Sequence, residues 1–146
     1  MLSPVRAATL LIGLLLPAAA LAQLPVVELA AGMHRIHAEV AASFPQRQQG
    51  LMHRRELGQN DGMVFVFDEN ERHCMWMKNT LIPLSVAFID ASGSIINIEE
   101  MAPQTEDTHC AARPARYALE MSKGWFAKRG IKPGAKLRGL DGLEPQ

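Results

Sequence analysis

The sequence predicts one mainly β domain, an antiparallel β-sandwich or barrel with two short helices. Three observations lead there. About seven short stretches either alternate apolar and polar residues or run apolar on both faces, as strands do. Gly, Pro, Asn and Asp punctuate the gaps between them. Only two stretches take a helical period, so the crossover helices required by a doubly wound parallel sheet are missing.

Residues 1–22 read as a secretory signal rather than as part of the fold. One cation, Arg6, precedes the apolar run 7–16, and Pro17 with small residues leads to Ala20-Leu21-Ala22, an A-x-A cleavage pattern. Pro17 cuts the run well short of the roughly 20 residues of a membrane-spanning helix. Gln23, not a cysteine, stands directly after Ala22, so a lipoprotein anchor is not expected, and neither is an integral membrane segment after cleavage. Export to the periplasm or beyond would leave 124 of the 146 residues, enough for one core. The domain is expected over 23–140 and a disordered tail over 141–146. Without Arg6, fourteen Lys and Arg face fifteen Asp and Glu. That balance offers no basic stripe for nucleic acid and no polybasic patch for a membrane surface.

Residues 33–40 alternate, with His34, Ile36, Ala38 and Val40 on one side and Arg35, His37 and Glu39 on the other. The period then changes. Ser43 with Gln46 forms a capping-box pattern, Pro45 suits a first turn, and Phe44, Leu51 and Met52 share a helical face. The opposite face shows Gln46, Arg47, Gln49 and Arg54. Asn60-Asp61-Gly62 is turn chemistry, and it feeds 63–67, apolar on both faces and therefore a central strand.

The stretch 73–90, HCMWMKNTLIPLSVAFID, concentrates the chemistry of the chain. As an extended segment it puts Cys74, Trp76 and Lys78 on one face and Met75, Met77 and Asn79 on the other, until Pro83 ends it. Residues 84–89 and 94–98, joined by Asp90-Ala91-Ser92-Gly93, predict a β-hairpin. Residues 101–114 form the longest irregular stretch. Beyond it, 117–121 alternate again, with Tyr117, Leu119 and Met121 opposite Ala118 and Glu120. Ser122 is placed to cap a short helix through Trp125, Phe126 and Lys128 that Gly130 stops, and 136–140 form a last strand.

Cys74 and Cys110 both lie in the exported part, where thiols are oxidised, so a disulfide is expected. Closing that loop should contribute on the order of 3 to 4 kcal/mol in the chain-entropy model. His73 and His109 flank the cysteines, but neighbours on a strand point to opposite faces, so neither is placed as a base for a nucleophilic thiol.

Four runs occur in order: Arg47-x-x-Gly50-Leu51-Met52-x-Arg54, Gly62-Met63-x-Phe65-x-Phe67, Trp76-Met77-Lys78-Asn79-Thr80-x-Ile82-Pro83-Leu84 and Tyr117-x-Leu119-Glu120. With them the chain resembles the uncharacterised bacterial and archaeal family called domain of unknown function 192, from about residue 33 to 140. The resemblance implies a jelly-roll-like β-sandwich and no established activity. Ser85 stands where the family often carries an acid, and the cysteine pair is not general to the family.

Three classes of function fit the residues. A binding module would use Trp76 and Lys78, with Asn79 and Thr80 where the strand gives way and Arg54 and Glu120 as neighbours, to hold a glycan, peptide or other envelope ligand. The competing reading puts Trp76 in the core and pairs Lys78 with Glu120. Periplasmic copper handling would use His73, Met75 and Met77, whose thioethers suit Cu(I). A hydrolase of glycosidase type would need two carboxylates across a cleft, drawn from Asp90, Glu99, Glu100 and Glu120. No catalytic motif, cofactor motif or metal-ligand spacing is present: His34, His37, His53, His73 and His109 make no zinc pattern. The expectation is an envelope protein that binds a ligand or partner, with no cofactor.

Overall fold

The computed structural model describes residues 23–146. The signal segment expected over 1–22 lies outside the described residues. Nine strands and two short helices follow in the order β1 (Val26–Ala31), β2 (His34–Ala41), α1 (Phe44–Gln49), β3 (Asp61–Glu71), β4 (Cys74–Met75), β5 (Leu84–Ile89), β6 (Ile95–Met101), β7 (His109–Cys110), β8 (Ala115–Ser122), α2 (Trp125–Lys128) and β9 (Leu137–Arg138). Seven strands make one curled sheet in the order β6-β5-β8-β3-β2-β1-β9, and β4 and β7 form a second, two-stranded sheet.

The mainly β, mostly antiparallel expectation holds, with one parallel pair. β2 and β3 run alongside each other from His37↔Asp61 to Ala41↔Phe65. A parallel pair needs a crossover, and the segment 42–60 with α1 supplies it. The sheet then bends until its edges meet. Ser94 bridges Lys136, and the Leu137 amide donates to the Gly93 carbonyl at 2.8 Å. Gly93 has φ +87°, and a Cβ there would lie 2.9 Å from the Leu137 oxygen, so both its conformation and the contact exclude a side chain. The hairpin turn is otherwise held by Asp90, whose Oδ1 accepts from the Ser92 amide, the Ser92 hydroxyl and the Ser94 amide.

Both faces of the sheet are buried. One carries Leu29, Ile36, Val64, Leu119 and Met121 under Trp125 and Phe126 of α2. The other carries Met63, Phe65, Phe67, Val86 and Phe88, covered by Leu51, Met77 and Ala111 from the connecting segments. Two-sided burial explains the unbroken apolar run of β3, which sits between β2 and β8.

Several local expectations change. The segment after Cys74 is not a continuous strand: only Cys74–Met75 pairs, with β7. The Met77 amide donates to the Thr105 carbonyl and the Thr80 amide to the Met77 carbonyl, with Asn79 at φ 54°, so the chain turns well before Pro83. Ser122 ends β8, and α2 starts instead from Gly124 at φ 82° without a side-chain cap. Its far end follows the expectation, with Gly130 at φ 65° and the Ile131 amide donating to the Phe126 carbonyl. The last strand shortens to Leu137–Arg138. At the C-terminal end Leu143 packs against the core, the Gln146 amide donates to the Ala42 carbonyl, and Glu144 pairs with Arg116.

Candidate functional site

A cleft of about 530 Å³ opens between α1, the distal end of β3 and the segment around β4. Each wall has a local cause. The α1 wall follows from the capping box of Ser43 and Gln46, with Pro45 in the first turn, and ends at Gly50 with φ 47°. None of its residues is buried, and Phe44, expected to face the core beside Leu51, stands two-thirds exposed at the rim. The β3 wall comes from an irregularity: β3 pairs with β8 in regular register as far as Val66↔Tyr117, then slips before Glu71↔Ala115. The slip places Phe67, Asp68, Glu69 and Glu71 along the cleft, the re-aiming of side chains that a bulge produces.

Arg47 fastens those two walls. Its guanidinium donates to the Ala42 carbonyl at 2.6 Å, to the Val66 carbonyl at 2.9 Å and to Asp68 at 2.5 Å, and its side chain is only 12% exposed. On the third wall His73 stacks on Phe67 with ring centroids 3.7 Å apart, and Trp76 stands 41% exposed at the edge. The disulfide between Cys74 and Cys110 locks β4 to β7 beneath them.

Glu120 lies in this cleft, only 3% exposed. β8 carries it between two apolar neighbours, Met63 of β3 and Val86 of β5, both fully buried. Gly62 helps seat that strand: a Cβ there would lie 2.3 Å from the Met121 sulfur and 2.4 Å from the Glu120 carbonyl oxygen. Burial alone pushes the Glu120 carboxyl up to about 8, with no hydrogen bond or ion pair contributing. Among the described residues no side-chain oxygen is both sealed from solvent and unpartnered, so this carboxyl keeps its access through the cleft. It is therefore a protonated donor at neutral pH and an ionised acceptor at modestly higher pH or beside a cation.

The six residues expected at a site divide. Trp76, Thr80 and Glu120 line the cleft. Lys78 lies outside it, with Nζ 5.2 Å from the Trp76 ring centroid and 3.9 Å from Glu106, not paired with Glu120. Asn79 is exposed in the turn, where its carbonyl accepts from the His53 amide. Arg54 belongs to another depression, gripping Glu39 through two hydrogen bonds of 2.8 and 2.6 Å. That bond is the main reason its guanidinium holds its proton more tightly than usual.

The copper constellation does not assemble. Met77 is fully buried in the core and Met75 packs against it, so the pair is not offered with His73 to an ion. Among the described residues no group of three His, Cys, Asp or Glu side chains could hold a metal. For the hydrolase reading, Glu100 accepts from the Ser85 hydroxyl, and Asp90 is held down to about 2: its partial burial raises it, but the bonds from Ser92, Ser94 and Arg113 outweigh that. Reading the sequence missed Arg47, Phe67 and the acids 68, 69 and 71 as site residues, and singled out His73 only as a copper ligand. The signal available for Glu120 was its place beside Ala118 on a strand whose second face is also buried.

The fold recurs in solved structures of other proteins. A crystal structure from Sinorhizobium meliloti 1021, described as a candidate transcription regulator, is 37% identical with a TM-score of 0.73 over 79% of this chain and 92% of that one. A protein of unknown function from Novosphingobium aromaticivorans DSM 12444 is 34% identical with a TM-score of 0.76 over 79% and 86%. No curated protein matches the chain. The family model DUF192, described as Uncharacterized ACR, matches residues 26–139, and the chain belongs to that family.

Proposed function

We propose that the protein is an exported binding module that holds a small envelope ligand in the cleft of Glu120 and Trp76. The observation that carries this reading is the Glu120 carboxyl: buried, without a protein partner, and open only to the cleft. A buried polar group without a partner is costly, and a ligand that hydrogen-bonds it recovers that cost. The half-exposed Trp76 ring and the stacked Phe67 and His73 add apolar contact, and the volume falls within the usual range for small-molecule sites. Export is supported by the signal-like residues 1–22 and by the disulfide, which suits an oxidising compartment.

The test is retention of low-mass compounds. Mature protein incubated with the small-molecule fraction of an envelope extract, washed and denatured, should release at least one compound that Glu120→Gln and Trp76→Ala proteins do not retain. Equal recovery from all three proteins, or none from the wild type, would remove the cleft as a binding site.

A further inference from the structure

The geometry points to an organic cation as the ligand of the Glu120 cleft, an ammonium or guanidinium group pairing with that carboxylate while its carbon chain lies against the aromatic wall. This rests on the cleft being a binding site and adds the chemical class. Three carboxylates, Asp68, Glu69 and Glu71, stand along the cleft, against one guanidinium, Arg47, whose donors are already spent on Ala42, Val66 and Asp68. The cleft therefore attracts positive charge at its mouth and offers an unpaired acid at its depth. Its rings belong to Phe44, Phe65, Phe67, His73 and Trp76, and aromatic faces beside acids are the surroundings in which cations bind. The Trp76 ring already lies within 5.2 Å of one cation, Lys78.

A neutral glycan would use Trp76 but leave the excess of acids over the single guanidinium uncompensated, since only Asp68 is paired with Arg47. An anionic ligand would meet them unfavourably.

The pairing has a stoichiometric consequence. Glu120 enters as a neutral carboxylic acid at pH 7, so binding a cation releases its proton to the buffer and leaves a carboxylate paired with the ligand. The titratable and charged groups that line the cleft with Glu120 are Arg47 from α1, Asp68, Glu69 and Glu71 from β3, and His73 before β4, while its strand neighbours Met63 and Val86 are apolar.

Butylguanidinium and its neutral isostere butylurea, titrated calorimetrically into the mature protein in buffers of different ionisation enthalpy, test this. Butylguanidinium should bind at least 10-fold tighter than butylurea, release close to one proton at pH 7, and gain up to about 10-fold per pH unit until pH 8. Glu120→Gln, an isostere whose fold is checked by thermal melting, should lose the proton release and at least 10-fold in affinity. Butylurea binding as well as the cation, with affinity falling above pH 8, would overturn the cation and leave the cleft a site for neutral acceptors. Failure of butylguanidinium to bind would also overturn it, whereas the cleft itself stands or falls on compound retention from the extract.

Discussion

Glu120 concentrates the argument at the scale of one residue. Its carboxyl is raised from an ordinary 4.5 to about 8 by burial, so the folded state holds a proton that the unfolded chain has released. Stability from this group is fully present below the unfolded value and is lost as pH rises through about 8. At about 1.4 kcal/mol per unit, the whole window is worth roughly 3 to 5 kcal/mol. Glu120→Gln should remove that slope: urea melts of the wild type should weaken between pH 5 and 9, and those of the variant should stay flat across it. Parallel curves for the two proteins would show that Glu120 is solvated. Lys78 is the contrasting case, since its ion pair to Glu106 is exposed on both sides. Lys78→Ala should change stability by less than about 1 kcal/mol in the same melts.

Among the elements, α1 and the irregular end of β3 matter most, because Arg47 joins them. Arg47→Ala leaves the Val66 carbonyl and Asp68 without that donor, and should cost about 2 to 3 kcal/mol and widen the cleft. Faster hydrogen exchange over α1 and residues 66–70 would register it, and unchanged protection there would exclude Arg47 as the fastener. The capping box and the β5–β6 hairpin were legible in sequence because local chemistry dictates them: Ser43 with Gln46 in one case, Asp90 and Gly93 in the other. The β3 slip was not legible, since the apolar run 63–67 marks only the core of the strand, and pairing with β8 alone sets where register is lost. The same limit hid the turn at Lys78 and Asn79. It is imposed by bonds to Thr105 and His53, far away in the chain or on another segment.

At the scale of the molecule, a curled sheet buried on both faces gives a strand residue two ways to be inside. Alternation along β8 separated Leu119 and Met121 from Ala118 and Glu120 correctly, but only the covering segments around Leu51 and Met77 decide that the second set is buried too. The mostly β class follows from composition and period and the Cys74–Cys110 bond from the even cysteine count and the proposed export, whereas the cleft is a product of how three distant segments meet. Its role as the binding site is tested most directly by mapping where ligand acts. The small-molecule fraction of an envelope extract, added to ¹⁵N-labelled mature protein, should shift the Trp76 indole and the Thr80 and Glu120 amides in a saturable way, and leave Glu39 and Arg54 in place. Shifts gathered at Glu39 and Arg54, or at neither place, would contradict the account.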